Sequence, residues 1–185
     1  MNEIKVLVFV LCTFFQTEED RIFAEKATVT IDPLEKIVEI NLEDPFTIVK
    51  SNEDFAATRM QYDSIVYWSN TNTNWSKDLD HFVSKELHSS IEENLDLEME
   101  NFKIILNYED EKDLEAIGIW FNTTKNKFAI NNTPDIHMTS ETAEANKNYW
   151  YFDAEVPFGY ILKPFANSTA NFSKNKVYLK DVLDN

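Results

Sequence analysis

The most constraining feature of this chain is a period of two. Val29 and Ile31 alternate with polar residues within Lys26–Asp32, and Val38, Ile40 and Leu42 do so within Lys36–Glu43. Between them Asp32-Pro33-Leu34-Glu35 has turn chemistry. Successive side chains of a strand point to opposite faces, so the pattern dictates a β-hairpin with one apolar and one wet face. The pattern recurs at Leu95, Leu97 and Met99, alternating with Asp96, Glu98 and Glu100, and Phe102, Ile104, Leu106 and Tyr108 read as its continuation.

Two segments break the alternation. Tyr149-Trp150-Tyr151-Phe152 and Ile119-Trp120-Phe121 are bulky at every position, so both faces of their strands need cover. Helices can cover one side. The other side calls for the polar stretch 131–148, a curled sheet, a partner or a ligand. Trp120 together with Tyr149/Tyr151, or with Trp150/Phe152, is therefore the candidate lining of an aromatic cleft that stacks an apolar ligand or a sugar. The candidate ligand-binding residues are Trp120, Tyr149, Trp150 and Tyr151, and the sequence does not say which pair faces the ligand.

Helical signals fall in the middle. Ser51-Asn52-Glu53-Asp54 sets a capping residue three positions before an acid and opens a helix to about Ser69. Its apolar face is read as Phe55, Tyr62 and Val66, with Ala56, Met60 and Tyr67. Trp75, Leu79, Phe82, Val83 and Leu87 follow at i, i+4, i+7, i+8 and i+12, the spacing of a second amphipathic helix over about 75–87. A short helical turn over 110–117 ends at Gly118. A hairpin spans 119–130 around Asn122–Asn126, and 131–148 reads as a loop. Strands follow at 149–154 and 158–163, with an edge strand at 176–179. The expected fold is a single α+β domain over 21–185: an N-terminal hairpin, two consecutive amphipathic helices, then an antiparallel meander of about five or six strands packed on them.

Several chemistries are excluded. Gly118 and Gly159 are the only glycines, so no phosphate-cradling GxGxxG or GxxxxGK[ST] loop exists. A net charge of −16 and a pI near 4.5 argue against nucleic-acid binding, which needs clustered Lys and Arg. The imbalance is local: residues 1–120 carry 26 acidic and 10 basic side chains, residues 121–185 seven of each. His81 and His88 are seven apart, His137 stands alone, and HExxH and GxSxG are absent. Glu109-Asp110-Glu111 with Asp113 and Glu115, and the row Asp96, Glu98, Glu100, lack the order of a calcium loop. No catalytic residue, metal ligand or cofactor is assigned. Asn-x-Ser/Thr triplets begin at Asn74, Asn122, Asn131, Asn167 and Asn171.

At the N-terminus the apolar run Val6–Phe15 stops abruptly at Gln16-Thr17-Glu18-Glu19-Asp20. It is too short to span a bilayer and has the length of a secretory apolar region, so 1–20 reads as an export leader and linker. Cys12 is the only cysteine, which leaves no intramolecular disulfide. Leu11 stands where a lipoprotein box needs a small residue, which argues against a lipid anchor at Cys12. The leading expectation is a non-enzymatic exported binding domain (periplasmic, envelope-associated or secreted) for an apolar, glycan or protein ligand. The alternative is a cytosolic acidic inhibitor or immunity-type protein holding a basic partner through residues 51–115. A hydrolase, bringing His81 or His88 to carboxylates, is third.

Overall fold

The computed structural model describes residues 14–15, 21–71, 74–94, 97–132, 137–163 and 174–184. The period-two segments pair as the sequence dictates. Strands β1 (Phe23–Asp32) and β2 (Ile37–Ile48) form the first hairpin, with Ile31 opposite Val38, Val29 opposite Ile40 and Ala27 opposite Leu42. Asp32 Oδ1 accepts the backbone N–H groups of Leu34 and Glu35, which tightens the turn.

Each cross-strand row extends outward. On one side β4 (Leu97–Asn107) adds Leu106, Ile104 and Phe102; on the other β10 (Phe158–Lys163) adds Phe158, Tyr160 and Leu162. All twelve of these side chains are buried and form one apolar face. The reverse face is wet, with Lys26–Glu43 at 2.8 Å and Lys103–Glu39 at 3.0 Å. Strand β3 (Ser84–Asn94) pairs with β4, β7 (His137–Thr139) with β10, and β11 (Lys176–Tyr178) with the end of β2. The result is a seven-stranded antiparallel sheet in the order β3-β4-β2-β1-β10-β7, with β11 beside β2.

Two layers cover the apolar face. Helix α1 (Asn52–Thr71) starts on the expected box: Ser51 Oγ accepts the Asp54 N–H at 3.3 Å, and Asp54 Oδ2 accepts the Ser51 N–H at 3.0 Å. It buries Thr58 and Ile65 and sets the Tyr62 ring 6.3 Å from Phe102. Its apolar face is narrower than the sequence implies, since Met60 is 70% and Tyr67 65% exposed. Arg59 donates to the carbonyls of Val182 and Leu183, both at 2.7 Å, and so fastens the short helix α2 (Leu179–Leu183) to α1. A second, four-stranded sheet supplies the other layer: β5 (Ile119–Asn122), β6 (Lys127–Asn131), β9 (Tyr149–Asp153) and β8 (Glu144–Ala145), in that order.

This overturns the expected α+β layout. Among the described residues the chain is mostly strand, and two consecutive amphipathic helices do not occur. Trp75, Leu79 and Phe82 do reach the core, but from irregular backbone with a single 3-10 turn at Lys77–Leu79. Val83 is 68% exposed, and Leu87 lies in β3 opposite Ile104. Helical spacing arose because core-facing residues of a turn and of a strand fall in sequence where a helix would put them. Eleven cross-strand pairs, from Ser84 with Asn107 to Asn94 with Leu97, then outweigh a helix containing Ser84, His88 and Ser89. The single meander is corrected too. The hairpin β1–β2 leaves open edges, and β10 and β11 return over a long sequence distance to fill them. Leu97 and Met99 hold odd positions and Phe102, Ile104, Leu106 and Tyr108 even ones, so the two runs are not one alternation. The stretch 131–148, expected as loop, contributes β7 and β8.

The core also includes residues from the N-terminal apolar run. Phe14 and Phe15 are buried, the Phe15 ring stacks on Trp75 at 4.6 Å, and the Phe14 carbonyl accepts the Ser76 N–H at 2.8 Å. Cys12 lies outside the described residues.

Candidate aromatic binding face

The four-stranded sheet is launched by a capped turn. Asp110 and Asp113 form a reciprocal box at the start of the 3-10 helix Glu111–Ile117, and Gly118 ends it in the left-handed region at φ 79°. The acidic run at 109–113 is therefore a capping device, with Glu111 held at 2.5 Å by Lys36. That hydrogen bond draws the Glu111 carboxyl below its ordinary range. Ile119 enters β5 directly from the glycine. At the far end Asn122 Oδ1 accepts the Lys125 N–H at 3.0 Å and closes the turn into β6.

Strand register sorts the aromatic residues onto two faces. Ile119, Ile130 and Trp150 share one row and Phe121, Phe128 and Phe152 the next, all on the inner face. Phe128 and Phe152 meet Phe158 of β10 at 5.4 and 4.5 Å between ring centres, and Phe152 lies 5.9 Å from Tyr160. Burial pushes the Tyr160 phenol well above its ordinary pKa. Trp150 packs half-buried against this core, and its indole N–H is buried with no partner among the described residues.

The outer face carries the row Trp120, Ala129, Tyr151 and Glu144 on β5, β6, β9 and β8. Tyr149 stands two residues before Tyr151 on the same face, with their rings 5.9 Å apart. Trp120 and Tyr151 are half-buried and Tyr149 is 39% exposed. Ala129 is only 7% exposed, as expected for one methyl flanked by two large side chains. Lys125 sets its ammonium 4.4 Å from the centre of the Tyr151 ring, and Lys127 pairs with Glu144 at 2.5 Å. Three of the four candidates, Trp120, Tyr149 and Tyr151, thus share one face, and Trp150 is on the other.

The remaining sequence candidates disperse. His81 and His137 are exposed, and His88 Nε2 lies 3.1 Å from Glu86 on its own strand. Among the described residues no three His, Cys, Asp or Glu side chains come together as a metal site, and no helix is long and apolar enough to cross a membrane. Of the triplet asparagines, Asn74 is exposed, Asn122 closes the β5–β6 turn, and Asn167 and Asn171 lie outside the described residues.

One feature was missed from sequence. A cleft of about 570 Å³ lies over β1, β7 and β10, lined by Thr28, Thr30, Thr139, Ser140, Thr142 and Gly159 among others. A Cβ at Gly159 would meet the Val29 carbonyl oxygen at 3.1 Å. A lone glycine inside a strand pattern marks such a close approach, and that signal was available at Phe158-Gly159-Tyr160. Comparison with protein-family models, with curated proteins and with solved structures finds no match for the chain.

Proposed function

We propose that the chain is a non-enzymatic binding domain whose ligand docks on the outer face of the four-stranded sheet. One observation carries the reading: Trp120, Tyr149 and Tyr151 gather on the face turned away from the core shared with β10, so part of each ring is open to a ligand. Large aromatic side chains supply contact area at little entropic cost, which suits a recognition surface. Export remains part of the proposal, resting on the apolar run Val6–Phe15. Removal of residues 1–20 would take the buried Phe14 and Phe15 out of the core.

The test is a two-dimensional NMR titration of the full chain with an apolar dye (8-anilinonaphthalene sulfonate) and a panel of soluble oligosaccharides. Shifts gathered at the Trp120 indole and the β5, β6 and β9 amides are expected. Shifts gathered over the β1–β10 cleft instead would transfer the function to that site. Mass spectrometry of the mature N-terminus tests export: a chain that begins after the apolar run supports it, and an intact Met1 overturns it.

A further inference from the structure

Resting on that binding surface, we infer that its occupant is an uncharged glycan that lies over Ala129 across Trp120 and Tyr151. Neighbouring strands are about 4.8 Å apart, so the two aromatic side chains rise from backbones roughly 10 Å apart. Only the Ala129 methyl stands between them. Two rings of one oligosaccharide can therefore each lay a C–H face on one of the aromatic groups, with nothing taller than a methyl between them. A branched side chain at 129 would raise a ridge there.

The charge around the row selects against ionic ligands. Lys127 and Glu144 neutralise each other across Tyr151, and Asn126 donates to Glu155 at 3.1 Å. Residues 121–185 carry seven acids and seven bases, so the face that holds the rings belongs to the neutral third of a chain of net charge −16. An anion is repelled by the net charge of the chain, and the row itself offers a cation no carboxylate that Lys127 does not already hold. Asn122, Asn131 and Asp153 stand at register positions of the same face, a polar rim around an apolar centre. Stacking in the middle with hydrogen bonding at the edge matches a sugar, whose ring faces are C–H and whose perimeter is hydroxyl. A lipid chain needs enclosure, whereas this is the open face of a sheet.

Lys125 is the chain's own competitor. Its ammonium covers the Tyr151 ring at 4.4 Å, and a stacked sugar must displace it. Surface cation–π contacts are weak, so the displacement is affordable and measurable: Lys125→Ala should bind about two- to five-fold tighter.

The experiment titrates the full chain with neutral hexasaccharides (cellohexaose, mannohexaose, chitohexaose), with oligogalacturonate and with 8-anilinonaphthalene sulfonate, followed by tryptophan fluorescence and NMR. At least one neutral hexasaccharide is expected to bind at the Trp120 indole. Trp120→Ala and Tyr151→Ala should each weaken it ten-fold or more, Trp120→Phe should retain most of it, and Lys125→Ala should tighten it. Unchanged circular dichroism separates loss of the site from loss of the fold. Binding of the dye or of oligogalacturonate at Trp120, with no neutral sugar bound, overturns the glycan inference while the surface stands. If no probe perturbs this face, the surface and the inference fall together.

Discussion

At the scale of single residues, Tyr108 shows where the fold leaves a group unsatisfied. Its ring is buried beside the Lys36 ammonium, 5.2 Å from the ring centre, yet its hydroxyl has no partner among the described residues. Burial, with the nearby charges of Glu111 and Asp32, pushes the phenol up to about 12. A phenol whose folded pKa is above its unfolded value of about 10 contributes fully below pH 10 and loses that contribution as pH rises through about 12. The neutral hydroxyl still costs something at every pH, because it was taken from water without replacement. Tyr108→Phe removes that cost and the titration together. It should raise stability by about 1 kcal/mol at pH 7 and shift alkaline unfolding upward, measured by urea denaturation at pH 7 and pH 11. A loss of stability at pH 7 would show that the hydroxyl has a partner after all. Neither the burial nor the missing partner was legible in the sequence, where Tyr108 is simply the last member of an alternating run.

At the scale of elements, β10 is the strand on which both layers meet. Phe158 and Tyr160 face the four-stranded sheet, while Gly159 faces outward opposite Thr30 and floors the cleft. Gly159→Ala brings a methyl to 3.1 Å from the Val29 carbonyl oxygen, so backbone must move in β1 or β10. The variant should lose about 1–3 kcal/mol, with amide exchange faster along Ala27–Ile31 and Phe158–Leu162 and the β5–β6 hairpin unaffected. Equal stability with unchanged exchange would mean that the two strands part without cost. Elements with local causes were legible: the β1–β2 turn with Asp32, the α1 box with Ser51 and Asp54, the Gly118 stop. The stretch 75–87 was not, because its apolar spacing satisfies a helix and the winning alternative, eleven pairs with β4, is made by residues up to 23 positions away. For the aromatic face, the alternation in 149–152 separated Tyr149 and Tyr151 from Trp150 and Phe152. Which set faces outward depended on where β10 packs, and no local signal carries that.

At the scale of the whole molecule, sequence order and spatial order diverge. Ala27 pairs with Leu162, so the central sheet is completed only when segments 135 positions apart meet. Such closure is invisible to periodicity, which is why a meander was the natural reading. Charge is legible from sequence at this scale, and it makes a prediction. Sixteen net negative charges repel one another, and the acids concentrated before residue 121 account for all of that excess. Against this stand the ion pairs Arg21–Asp54, Lys26–Glu43, Lys36–Glu111, Lys103–Glu39, Lys127–Glu144 and Lys176–Glu25, all at least partly exposed. Exposed pairs contribute about 0–1 kcal/mol each and are themselves weakened by salt. The repulsion is summed over many unpaired acids, and screening shortens its reach from about 30 Å at 0.01 M to about 10 Å at 0.1 M. Repulsion should therefore be the larger loss to salt, so sodium chloride stabilises. Between 10 and 500 mM the melting temperature should rise by about 2–6 °C, equivalent to roughly 1–2 kcal/mol in a chain of this size. Most of the rise should come below 150 mM, where the screening length changes fastest, which distinguishes it from a salting-out effect that grows at molar concentration. A melting temperature that falls with salt would mean that these ion pairs outweigh the net charge, and that the acids are spaced widely enough to ignore one another.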